Sequence, residues 1–230
     1  MAISIDTVYQ RVLALANKEQ RGYVTPQEFN LFANQAQMEI FEQYFYDLNQ
    51  WSRQHGNDTI YADPITILEQ KIEIFHKSST LSGTNIFTLP DNLYRLMEVR
   101  YGGTKSIVEK LTHQKFQAAL NSPLTAPTLS RPIYYIKDKR IILGPIVSFG
   151  SVNLSYIRKP KKVEWGYFII EDKALYDSSS AKTTDFELHP SDESELVYRI
   201  LALAGITLQK PQLAQAAISM EQTKVQQEKQ

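Results

Sequence analysis

Apolar side chains recur at three- and four-residue steps through residues 25–54, where Phe29, Ala33, Ala36, Ile40, Tyr44, Leu48 and Trp51 form one row. Leu31, Gln35, Met38, Phe41 and Phe45 run beside it. That period lays each row along one face of a helix. Thr25 stands at the N-cap, Pro26 at the first helical position, where a missing N–H costs nothing, and Glu28 three residues after the cap. Thr25 and Glu28 therefore predict a capping box, each satisfying the other's free backbone donor. No proline or glycine interrupts the rest of the run, so it predicts a helix of about 30 residues, roughly 45 Å long. Two large apolar rows leave little of its surface fit for water, so the helix requires other helices around it.

The same reading extends along the chain. Residues 3–20 predict a first helix, capped by Ser4 or Asp6 and striped by Val8, Val12, Leu15 and Ala16. Gly22 then turns the chain into an antiparallel pair with the long helix. After Pro64, the spacing of Ile65, Leu68 and Ile72 predicts a short third helix. From Ser78 to about Leu188, prolines, glycines and turn residues separate short β-rich runs. Strands are expected at 85–89, 96–101, 106–110, 133–137, 140–143 and 152–158, with 167–170 pairing 186–188. Asp138-Lys139 marks a tight hairpin, residues 113–122 a lone helix and 177–184 a polar loop. Helical patterning returns at Pro190: Asp192 caps, Glu195 stands behind it, and Leu196, Val197, Ile200, Leu201 and Leu203 make the apolar face. A last helix after Lys210-Pro211 carries the stripe Leu213, Ala217, Met220 and Val225. Helices, then strands, then helices predict an α+β fold. In it, residues 1–77 and 190–230 build one helical bundle, and a β-rich, sandwich- or barrel-like region is inserted at 78–189.

Composition narrows function by exclusion. The 230 residues carry 25 basic and 25 acidic side chains. A free-standing nucleic-acid binder draws most of its affinity from phosphate neutralisation, and the basic excess this needs is missing. No apolar run reaches the roughly 18 residues of a membrane span, and the first residues lack the basic-then-apolar order of a secretory signal. With no cysteine, disulfides, thiolate nucleophiles and cysteine metal sites are excluded. The 13 tyrosines and 10 phenylalanines suit sheet faces and protein interfaces. His55, His76, His113 and His189 have no metal-ligand spacing and read as surface or capping residues. There is no phosphate loop and no nucleophile elbow, and the glycines of Tyr101-Gly102-Gly103-Thr104 read as a turn. The adjacent acids Glu171-Asp172 and Asp192-Glu193 read as turn and helix-start charges. No catalytic residue, metal ligand or cofactor is predicted.

Two stretches carry both a plain and an interacting reading. Arg158, Lys159, Lys161 and Lys162 form the one dense cation run. It suits contact with DNA phosphates or with an acidic rim on a tail partner, and equally a solvated strand exit. The C-terminal stripe of Leu213, Ala217, Met220 and Val225 suits a core helix or an amphipathic helix docked in a partner's groove.

Five segments, in order, carry a family resemblance: VYQRVLALANKEQRGYVTPQEFNLFANQAQMEIFEQYFYD, LPDNLYRLMEVRYGG, RPIYYIKDKRIILGP, VNLSYIRKPKKVEWGY and FELHPSDESELVYRILALAGITL. Together they span most of the chain from Val8 to about Pro211. The layout resembles the head-to-tail adaptors, or tail tubular protein A-like connectors, of short-tailed bacteriophages, including the crAss-like group. The resemblance implies a structural virion protein without catalytic activity, made in the host cytoplasm. It implies a ring, typically dodecameric, beneath the capsid portal, with genomic dsDNA passing through the lumen without specific binding. The helical bundle would pack against neighbouring copies, the C-terminal region would reach the portal protein and the β-rich region would face the next ring or tail-tube protein. Neither a cofactor nor a membrane is implied. Two other classes of function stand beside this one. The first is a tail-associated hydrolase with an unrecognised carboxylate pair, and the second is a cellular interaction module.

Overall fold

The capping box forms as the sequence predicts. Thr25 donates to Glu28 Oε2 through its hydroxyl at 2.8 Å and its N–H at 3.0 Å, and the Glu28 N–H donates back to Thr25 Oγ1 at 3.3 Å. The hydroxyl, and after it the N–H, hold the Glu28 carboxyl below its ordinary range. The fold comes from a computed structural model that describes residues 3–17, 24–53, 62–102, 106–145, 147, 149–171, 173–179, 181–207, 215, 217–220 and 222–223. The chain divides into two compact units, Met1–Ile74 with Pro160–Gln230, and Phe75–Lys159.

The first unit contains α1 (Ile5–Asn17), α2 (Pro26–Arg53), α3 (Ala62–Glu73) and α5 (Glu193–Thr207). Helix α2 packs against α3 and α5, and α1 packs against α5. The first row of α2 is buried from Phe29 to Tyr44, and Leu48 and Trp51 are half-buried at its end. The second row is buried only at Phe41 and Phe45, whereas Leu31 is 71% exposed. On α1, Val8, Val12 and Ala16 are core while Leu15 faces solvent, off the stripe expected for it. Ser4, one of the two expected candidates, caps α1. Ser4 Oγ accepts from Thr7 N–H at 3.4 Å, but the first free donor, Ile5 N–H, bonds to Asp185 at 2.9 Å, and Asp6 serves a different partner.

The boundary expected at residue 189 lies at 159/160 instead: residues 160–189 belong to the helical unit. The cause is a row of amides on α2. Asn30 Oδ1 accepts from Trp165 N–H at 2.8 Å, and Asn34 brackets Val163, accepting from its N–H at 3.0 Å and donating to its carbonyl at 2.8 Å. Gln37 Nε2 donates to the Lys161 carbonyl at 2.8 Å, and its Oε1 accepts from Glu187 N–H at 3.3 Å. Four residues of helix rise about 6 Å and two residues of extended chain span about 6.6 Å. Asn30 and Asn34 therefore meet residues 165 and 163 in register. Only three residues, about 4.5 Å, separate Asn34 from Gln37, and the extra methylene of glutamine reaches residue 161 across the remainder. A helix thus pairs an extended segment as a neighbouring strand would. Bridges between Ile3 and Phe186 and between Glu164 and Thr184 complete the attachment.

The second unit is a β-sandwich. Its three-stranded sheet has the order β1-β7-β3, with β1 (His76–Gly83), β3 (Leu93–Tyr101) and β7 (Gly150–Arg158) all antiparallel. The four-stranded sheet has the order β2-β6-β5-β4, with β2 (Ile86–Thr88), β4 (Glu109–Lys110), β5 (Ile133–Lys137) and β6 (Arg140–Gly144). Strand alternation sorts the side chains. Tyr134, Ile141 and Leu143 meet Val152, Leu154 and Tyr156 between the sheets, while Ile133, Tyr135 and Ile142 point to the other face. That outer face is covered by α4 (His113–Asn121), whose Phe116 ring lies 4.6 Å from Tyr135. The lone helix expected at 113–122 is thus a crossover that lets β4 pair in parallel with β5. Two bulges in β3 shift its inward positions to Leu93, Leu96, Val99 and Tyr101. The β5–β6 turn places Asp138 and Lys139 at φ 49° and 56°, the left-handed pair that a two-residue hairpin requires.

Candidate assembly surfaces

Buried Trp165 follows directly from the amide row. Its indole N–H donates to Asp6 at 3.0 Å, and its ring lies 4.3 Å from that of Tyr9. The next residues form a two-stranded hairpin, β8 (Tyr167–Ile170) with β9 (Lys173–Tyr176), paired from Tyr167↔Tyr176 to Ile170↔Lys173. The sequence-based expectation paired 167–170 with 186–188; Phe186 instead bridges Ile3. At the hairpin base both tyrosine rings stack against Trp165, each at 5.8 Å. Burial first, then Asp185, Asp6 and Asp177, push the Tyr176 hydroxyl above its ordinary range.

Beyond that anchor the hairpin is apolar and uncovered. Phe168, Ile169, Ile170 and Leu175 are 45%, 68%, 51% and 44% exposed. Because successive residues of a strand point to opposite faces, these side chains present apolar surface on both sides of the ribbon. No third strand joins it among the described residues. An isolated hairpin of this size is marginal in water, so the Trp165 anchor holds it in place. The sequence carried one signal for this surface, the run YFII before two acids. With no glycine or asparagine at its turn, however, the hairpin lacked the usual marker; Glu171 takes φ 48° regardless.

A second surface lies between α1 and α5. Arg11, Ala14, Leu15, Ser194, Val197 and Tyr198 line an open groove of about 290 Å³. Arg11 at its edge forms an ion pair with Glu193 at 2.9 Å and remains half-exposed. Elsewhere α5 is locked in place. Arg199 bonds Glu195 at 2.7 Å and also Gln43 on α2. Before α5, His189 caps a 3-10 turn at Pro190–Asp192, the role expected of Asp192. Asp192 is fully buried and accepts from Tyr44 at 2.5 Å, Lys71 at 2.7 Å and Ser191 at 3.2 Å. Lys71 is itself buried, 5.6 Å from the Tyr44 ring. This triad ties α2, α3 and the start of α5 together.

Asp192 and Glu193 therefore do not form an exposed carboxylate pair. Asp192 is consumed internally, Glu193 is paired to Arg11, Glu171 sits at a hairpin turn, and Asp172 lies outside the described residues. Among the described residues no group of histidines and acids has the geometry to hold a metal. None of their helices is long and apolar enough to cross a membrane.

The four cations of the basic run fall in both units. Arg158 lies over the Phe75 ring at 5.8 Å, and Lys159 is exposed. Lys161 meets Glu187 at 3.7 Å, and Lys162 is exposed. Of the C-terminal stripe, Ala217 is buried and Met220 is 53% exposed, while Leu213 and Val225 lie outside the described residues. No protein-family model matches the chain, and no curated protein matches it.

Proposed function

We propose that the protein is a structural connector that forms a ring, with twelve copies by the family resemblance, joining a phage capsid portal to its tail and surrounding the path of the genome. The observation that carries this reading is the chain order. Both ends of the sequence build one helical unit, and a β-sandwich at 75–159 is inserted between them, which is the layout that the resemblance to head-to-tail adaptors implies. Two further features support it. The charge is balanced, which suits a conduit that must release DNA, and Phe168, Ile169, Ile170 and Leu175 expose apolar surface on one hairpin, which suits assembly with other proteins. In this reading the partners are the portal protein, further copies of the chain and the next ring or tail-tube protein, and the location is the virion. Met220 is then the described residue of the C-terminal stripe best exposed for portal contact, and Lys159 and Lys162 are the cations free to approach DNA or a tail protein.

Negative-stain images of the protein alone and mixed with its portal test the proposal. Rings, or portals decorated with matching symmetry, are the expected result. Persistent monomers that leave the portal bare would overturn it and direct attention to glycan-degradation assays, the signature of the hydrolase reading.

A further inference from the structure

Resting on the ring reading, we infer that the β8–β9 hairpin of one copy docks into the α1–α5 groove of the next copy. The two surfaces are different patches of one chain, so their union is head-to-tail, the type of contact that closes into a ring when the rotation permits. The hairpin cannot fill its own groove. Its base is held by Trp165 against Asp6 and Tyr9, and at about 100° per residue these lie on the side of α1 opposite Arg11, Ala14 and Leu15, which line the groove.

Chemistry selects the occupant. The hairpin offers Phe168, Ile169, Ile170 and Leu175, and the groove offers the aliphatic surface of Ala14, Leu15 and Val197. Glu171 stands exposed at the hairpin turn, and Arg11 stands at the groove edge. A guanidinium has five donors, so the ion pair with Glu193 leaves others to meet a carboxylate. A neutral chain also lets like copies approach without net repulsion.

The absence of native cysteine makes the test direct. Ile169→Cys and Ala14→Cys are each introduced into the full chain, and their melting temperatures are checked against the parent. The two variants are then treated with a short bismaleimide, singly and mixed, under the conditions used for imaging. Covalent dimers in the mixture, with neither variant dimerising alone, are expected. No linkage in the mixture, or equal linkage in a single variant, would overturn the inference, including the case where residues 208–230 of the same chain occupy the groove. Rings without this linkage would leave the ring reading standing and remove this interface. Linkage without rings would do the reverse.

Discussion

The two units satisfy buried backbone in different ways. In the sandwich, the ladder does it: β7 pairs on both sides, and the space between the sheets is filled by side chains such as Val99, Ile141, Leu143 and Leu154. In the helical unit, an extended segment runs where no strand is available, and the side chains of Asn30, Asn34 and Gln37 take the strand's place. A ladder tolerates many sequences because its bonds are backbone to backbone. An amide row depends on particular residues at particular steps. The helical unit should therefore be the more sensitive to polar substitution, and the sandwich to loss of apolar volume.

The largest expected effect lies in the buried triad. Asp192→Ala leaves Lys71 charged and unpaired in the core, which should cost about 3–5 kcal/mol in denaturant unfolding of the helical unit. Combining Asp192→Leu with Lys71→Met should recover most of that loss. If the single variant melts like the parent, the triad does not hold α2, α3 and α5 together. Next in size is Asn34→Ala, which strips both bonds from Val163 and should cost about 2–3 kcal/mol. A polar-to-apolar change on the sandwich exterior, such as Thr80→Val, should change little by comparison, so equal effects would erase the contrast between the units.

Smaller effects sharpen the picture at single turns. Thr25→Ala removes the α2 cap and should cost on the order of 1 kcal/mol. The pH dependence follows from Glu28, whose folded pKa lies below its unfolded value. Its contribution is present above the ordinary carboxylate range and is lost as pH falls through the folded pKa. Stability curves of the parent and of Thr25→Ala should therefore converge toward acid; parallel curves would contradict the capping box. In the sandwich, Lys139→Gly relieves a left-handed residue and should stabilise by about 0.5–1 kcal/mol, read as a rise in melting temperature.

What was legible in the sequence was local. The capping box needs only Thr25 and Glu28, the tight hairpin only Asp138-Lys139, and α4 only its short periodic run. What was hidden depends on partners far along the chain. Residues 160–189 carry strand-like patterning, yet their place is set by amides about 130 residues earlier in the sequence, at 129 and 135 positions for two of the bonds. A signal did exist: Asn30, Asn34 and Gln37 repeat at helical steps between two apolar rows, and a polar stripe in that position asks for a backbone partner. Strand β1 escaped notice because its sequence, HKSSTLSG, is polar, as an edge strand with little buried surface can be. Leu31 and Leu15 fit their rows by spacing, but spacing does not say where the neighbouring helices stop.

Both the hairpin anchor and the proposed interface depend on residues 161–165 belonging to the helical unit through α2. Native-state hydrogen exchange at Val163 and Trp165 tests this most directly. The account predicts that both amides are protected in the parent and that Asn34→Ala raises exchange at both by tenfold or more, while Leu154 in the sandwich is unchanged. Exchange at loop rates in the parent, or protection unaltered by the substitution, would contradict it.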